Sequence, residues 1–164
     1  MEVFTSILAS SESAEATLML TLDHHQRRRA RLRVPLPNGE AVGISLPRGQ
    51  ALKDGDRVRS EPSGLVARVR AAPEHVSVAE TSDQHLLTRA AYHLGNRHVG
   101  LRIEHGRLIY SKDHVLDGLC RELGLSVSEQ ILPFEPEAGG YAGGHGHAHE
   151  MRLAPPARGG VHGH

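Results

Sequence analysis

Between Ala30 and Val34 apolar residues fall at every second position, with Arg31 and Arg33 between them. A period of two belongs to a strand with one buried face. Asn38-Gly39 follows, a pair that accepts the positive φ of a tight hairpin turn. Asp54-Gly55 and Ser63-Gly64 mark two further turns, after which Leu65, Ala67 and Val69 alternate again. Short strands punctuated in this way predict a small all-β barrel or sandwich over residues 1–72. Pro73, in RAAPEH, breaks the pattern and sets a boundary.

Beyond Pro73 the period changes. VSVAETS reads as a strand. In SDQHLLTRAAYHLGN a Ser82 or Asp83 cap precedes Leu86, Leu87, Ala90, Ala91 and Leu94 at helical spacing, and Gly95 is expected to end the helix. HVGLRIEHGRLIYSK predicts a hairpin in which Val99, Leu101 and Ile103 alternate and His105-Gly106 turns. SKDHVLDGLCRELG repeats the helix with Val115, Leu116, Leu119, Cys120 and Leu123, closed by Gly124. A histidine, His85 or His114, precedes each apolar stripe. LSVSEQILPF supplies a last strand. The order β-α-β-β-α-β is the ferredoxin-like arrangement, so the fold class is α+β, with the second domain over 73–137. After Pro133 and Pro136 the chain is expected to leave that domain. Residues 138–164, rich in Gly, His, Pro and Ala, are expected to be a disordered tail.

Composition narrows the function classes. Lys plus Arg equals Asp plus Glu, at 19 each, so no global field draws the chain to nucleic acid or membrane. The single Cys makes no internal disulfide, which fits a reducing compartment. The start lacks a basic n-region with an apolar h-region, and no apolar run approaches membrane-spanning length. A cytoplasmic soluble protein is the expectation. The anomaly is histidine, with 13 residues in the chain.

Five of them stand in the last twenty residues: His145, His147 and His149 in YAGGHGHAHE, and His162 and His164 in VHGH. No two are adjacent, unlike a purification tag. Imidazoles spaced i, i+2, i+4 along a Gly-rich chain can close on one ion, and divalent-metal binding is preferred to an inert linker. Imidazole suits Zn²⁺, Cu²⁺ and Ni²⁺ alike. Other candidates are plainer. His98 reads as a surface residue at a strand entry, facing the open side of the sheet, and Gly100 on that side leaves room for another backbone. A two-fold dimer built there would bring two copies of His98 together. His93 near a helix end has a structural explanation, and His85 is expected to be solvated. His114, in a helix first turn, is expected to stay neutral and available as a ligand. His24 and His25 have no account. Arg29, Arg31 and Arg33 lack the interleaved aromatics of a base-stacking surface and read as a solvated strand face. Cys120 reads as a buried small hydrophobe. Ser111, Asp113 and His114 crowd into one short segment without a nucleophile elbow, so they do not suggest a hydrolase triad. Glu135 and Glu137 are read as solvated carboxylates able to supplement imidazole.

Three stretches, YHLGNRHV, DHVLDGLCRELGL and PFEPEAGGY, together with LPRGQALKDGDRV in the first half, resemble the UreE family of urease accessory nickel chaperones. The resemblance spans nearly the whole chain. It implies an amino-terminal β domain, a ferredoxin-like metal-binding domain, a homodimer through the latter, and delivery of Ni²⁺ to the urease apoprotein with an accessory GTPase. By the same resemblance His98, in GNRH, is the interfacial nickel ligand and His114, in DHVLD, a secondary metal ligand. Lys112 stands where a second His is often found, and Gly100 where Pro is usual. The expected ligand set is therefore His98, His114, His145, His147, His149, His162 and His164, with no catalytic step and neither nucleic acid nor membrane as partner. The rival reading is a metal store without a client.

Overall fold

All four predicted turns are present in the computed structural model, which describes residues 1–138, and the glycines at 39, 55, 64 and 106 all have positive φ. The amino-terminal strands are β1 (Val3–Phe4), β2 (Ser6–Ile7), β3 (Leu18–Leu22), β4 (Arg31–Pro35), β5 (Ala41–Ser45), β6 (Arg57–Arg59) and β7 (Val66–Ala71). They form two sheets, β1-β5-β4 and β2-β6-β7-β3. Hairpin β4–β5 closes over Asn38-Gly39, where Gly39 N–H donates to Leu36 O at 3.0 Å. The inward residues of both sheets, among them Phe4, Leu20, Leu22, Val42, Ile44, Val58 and Val69, meet in one core. Arg31 and Arg33 stay exposed, as the alternation requires.

One element lies outside that alternation. Helix α1 (His24–Arg27) is a single turn held by reciprocal capping. Asp23 carboxylate accepts from Gln26 N–H at 2.7 Å, and Gln26 Oε1 accepts from Asp23 N–H at 2.9 Å.

The second half is β8 (Pro73–Glu80), α2 (Gln84–Asn96), β9 (Leu101–Glu104), β10 (Arg107–Ser111), α3 (His114–Leu123) and β11 (Ser126–Pro133). Its sheet order, β11-β8-β10-β9 with every neighbour antiparallel, is the ferredoxin-like one. Both helices lie on one face. Leu87, Ala90 and Leu94 of α2 and Leu116 and Cys120 of α3 pack with Ala79, Leu101, Leu108 and Tyr110 of the sheet. Asp83 and Asp113 cap the helices through their carboxylates.

Three expectations are corrected. Helix α2 runs past Gly95 to Asn96, because a glycine within a helix lowers stability without forbidding the next hydrogen bond. Strand β9 starts at Leu101 rather than at Val99, and Ile103 is 50% exposed on this edge strand. Val115 is 54% exposed, while Asp117, a polar position in the pattern, is buried. Past β11 the chain stays on this domain. Phe134 is 1% exposed and packs on Val76, Val78 and Ile109, the sheet face away from the helices. The expected tail disorder lies outside the described residues. Among the described residues no helix is long and apolar enough to cross a membrane.

Candidate metal centre

Helix α2 ends in a pair of reversed hydrogen bonds. His98 N–H donates to Gly95 O at 3.0 Å and Val99 N–H to Leu94 O at 3.4 Å. This Schellman pattern requires a left-handed residue just past the helix, and glycine is its usual occupant. Here that residue is His98, with φ 56°, the one non-glycine residue of positive φ among the described residues. A side chain in this conformation costs about 1–2 kcal/mol. Val99, the next residue, joins the helix-side core that contains Leu94, which anchors the turn. His98 itself is exposed. A strained backbone carrying a solvent-facing imidazole points to a role for the imidazole.

The surroundings of His98 differ from the expected open sheet face. A Cβ built on Gly100 would lie 3.6 Å from Pro136 of the same chain. Glu137 N–H donates to Leu101 O at 2.8 Å. The segment beside Gly100 is therefore the chain's own, arriving from β11. Tyr92 on α2 and Ile103 on β9 are 65% and 50% exposed, so the two elements flanking His98 each carry an uncovered apolar side chain.

His114 lies in the first turn of α3 and is exposed. Asp113 beside it is engaged as a cap, accepting from Val115 N–H at 2.8 Å and Leu116 N–H at 3.1 Å, so it is not free to orient an imidazole. Lys112 turns inward to a buried carboxylate. Its Nζ lies 2.6 Å from Asp117 Oδ2 and 3.4 Å from Glu129, and Tyr110 hydroxyl donates to Asp117 Oδ1 at 3.0 Å. Burial pushes the Asp117 carboxyl up, but the Lys112 and Tyr110 bonds outweigh it and hold the group below its usual value. Cys120 is fully buried, and burial pushes its thiol up, which fits the expected small hydrophobe. His75 pairs with Glu129 at 3.0 Å on the surface. His85 is exposed as expected, and His93 stacks edge-on against Tyr92 at 5.5 Å.

His24, without an account from the sequence, packs its ring against Phe134 at 5.4 Å. Burial first, then the charges of Arg27 and Arg28, lower its pKa. Arg27 is fully buried and no sequence signal marked it. Glu135, expected to be solvated, is part-exposed and also pairs with Arg27 at 3.5 Å and accepts from Asp54 N–H at 2.9 Å.

Among the described residues no three metal-ligating side chains converge. His98 and His114 are presented separately, and His145, His147, His149, His162 and His164 lie outside the described residues.

Residues 4–72 match the family profile for the UreE urease accessory protein N-terminal domain, and residues 74–164 match that for its C-terminal domain. A urease accessory protein UreE from Pseudomonas putida (strain W619) is 52% identical over 130 residues, 79% of this chain and 81% of its own length. One from Escherichia coli O157:H7 is 46% identical over 139 residues, covering 84% and 90%. One from Burkholderia orbicola (strain AU 1054) is 46% identical over 147 residues, covering 90% and 71%.

Proposed function

The chain belongs to the UreE urease accessory protein family, and from that premise we propose that it is a dimeric cytoplasmic metallochaperone that binds Ni²⁺ and hands it to the urease apoprotein and its accessory GTPase, without a catalytic step of its own. The observation that carries this reading is His98, an exposed imidazole held in a left-handed position at the end of α2. One His98 is an incomplete site, since imidazole metals take four or more ligands. A second His98 across a two-fold axis supplies another. Tyr92 and Ile103 support a protein contact around it, because uncovered apolar side chains of this size favour an interface.

The tail supplies the rest. Glu137 is tied to Leu101, three residues from His98 (101 − 98 = 3), a span of about 10 Å at most. His145 follows Ala138 by seven residues (145 − 138 = 7), a reach of about 24 Å. His145, His147 and His149 can therefore reach His98 of the same chain, with His162 and His164 further along the sequence. His114 is then a separate, weaker site. We read the chain as a β unit over 1–72, a metal-binding unit over 73–137 and a ligand-bearing tail over 138–164. A centre divided between two chains and a terminus can open without unfolding either partner, which a delivery protein requires.

Calorimetric Ni²⁺ titration of the parent chain and of His98→Gly tests the centre. The parent should take up Ni²⁺ tightly in the dimer, and the variant should not. Equal tight binding by the variant removes His98 from the site. Capture of apo-urease and the GTPase by the Ni²⁺-loaded chain separates delivery from storage, because a store needs neither.

A further inference from the structure

The segment from Pro133 to Glu137 runs from the end of β11, one edge of the sheet, to β9, the other edge. Arg102 Nη1 on β9 donates to Pro133 O at 3.1 Å, and Glu137 N–H donates to Leu101 O at 2.8 Å. Between these points Phe134 lies on the sheet face away from the helices. The ring of Pro136 lies beside Gly100. The segment is a strap, and the chain continues from it, next to the end of α2, toward the tail histidines.

The middle of the strap is held by the amino-terminal unit. Arg27 Nη1 donates to Leu22 O at 2.8 Å. Its Nη2 donates to Phe134 O and lies 3.5 Å from Glu135 Oε2. That carboxylate oxygen also accepts from Asp54 N–H. His24 adds its ring against Phe134, and its backbone N–H donates to the Glu74 carboxylate at 2.8 Å. A guanidinium is seldom fully buried, and burial without partners is strongly unfavourable. Arg27 is fully buried. The groups it engages include the backbone of Phe134 and the side chain of Glu135, two to three residues before the bond to Leu101.

We propose that Arg27 is a positioning residue for metal capture: by clamping the strap at Phe134 and Glu135 it holds the root of the histidine-bearing tail beside His98. The inference rests on the metallochaperone reading. The amino-terminal unit thereby acts on a metal centre to which it contributes no ligand. Releasing the clamp loosens the point from which the tail starts, and the effective concentration of the tail imidazoles at His98 falls with it.

Two measurements on the full-length chain test this. In metal-free protein, amide exchange of the 134–138 segment should be at least about tenfold faster in Arg27→Met than in the parent, with α2 and α3 unchanged. Glu135→Gln, which keeps the shape of the side chain, should do the same more weakly and serves if Arg27→Met does not fold. Ni²⁺ titration should then show affinity falling by about tenfold in Arg27→Met. The same substitution should have no effect in a background where His145, His147, His149, His162 and His164 are all Gln. Unchanged exchange at 134–138 overturns the clamp. Equal loss of affinity with and without the tail histidines also overturns the proposal, because Arg27 then only supports the fold. If the parent chain binds no Ni²⁺, the metallochaperone reading fails on its own, and the exchange measurement still decides whether Arg27 holds the strap.

Discussion

Helices α2 and α3 repeat one another from cap to end. Each starts from an aspartate, Asp83 or Asp113, whose carboxylate accepts two backbone N–H groups. Each ends with two reversed hydrogen bonds. Gly124 N–H donates to Arg121 O at 2.9 Å and Leu125 N–H to Cys120 O at 3.0 Å, matching the pair formed by His98 and Val99. The left-handed residue is Gly124 in α3, with φ 104°, and His98 in α2, with φ 56°. The surroundings explain the difference. A Cβ at Gly124 would lie 3.3 Å from Leu86 Cδ2, so that end is pressed against α2 and has little room. Both closing residues are exposed, and the one at the end of α2 carries a ring. Helix α3 also buries Asp117 and Cys120, whereas α2 presents Tyr92 and His98 outward. Both helices bury an apolar stripe in the same core, and only the end of α2 sets a non-glycine residue in the left-handed conformation.

Making the two ends alike is the strongest test. His98→Gly gives both helices the same closing residue. Nickel affinity of the dimer should fall by more than about 100-fold, since even groups that only support a ligand are worth roughly 10–100-fold. Thermal melting should show stability unchanged or raised by up to about 1 kcal/mol, because the left-handed strain is relieved. A clear loss of stability would mean that the imidazole holds the fold and the comparison fails.

The buried side of α3 comes next. Asp117→Ala leaves Tyr110 hydroxyl without its partner and should cost about 2 kcal/mol in urea unfolding. The acid limb should change as well. The Asp117 carboxyl is held below its usual value, so its stabilisation is present above the unfolded pKa near ~3.9 and is lost as pH falls through the folded value. The variant should lack that part of the acid dependence. Nickel binding should not change, and a change would couple the two helices in a way the comparison does not contain.

Gly124→Ala should cost about 1–2 kcal/mol through its positive φ, with a further loss from the contact with Leu86. Its Ni²⁺ affinity should match the parent. Equal stability would show that this end of α3 relaxes as freely as that of α2.

The smallest effect lies at the junction with the amino-terminal unit. Burial, then Arg27 and Arg28, lower the His24 pKa, so the unfolded chain takes a proton there more readily than the folded one. Stability contributed by neutral His24 is therefore present above the unfolded value near ~6.5 and lost as pH falls toward the folded value. His24→Gln should show a smaller drop in melting temperature between about pH 7.5 and 5.5 than the parent. An identical drop would remove His24 from the pH response.

The sequence by itself determined what depends on neighbouring residues. Asn38-Gly39, Asp54-Gly55, Ser63-Gly64 and His105-Gly106 turn because few other residues accept positive φ. The two helices follow from apolar spacing and aspartate caps, and β-α-β-β-α-β follows from their order. GNRH singled out His98 through its resemblance to a family, although alternation placed it on a strand. Its left-handed turn was hidden because Gly95 resembles a helix stop, and only the reversed bonds from His98 and Val99 put the left-handed closing residue three positions later. The tertiary structure alone decided the fates of Arg27 and Phe134. Residues 107 apart in sequence, they meet through one hydrogen bond. In RRRARLR three of the arginines look alike to any local rule, yet Arg27 is buried while Arg28 and Arg29 are exposed. The physical reason is desolvation: a guanidinium leaves water only where carbonyl and carboxylate partners already stand, and beside the local Leu22 carbonyl those partners, Phe134 and Glu135, come from distant sequence.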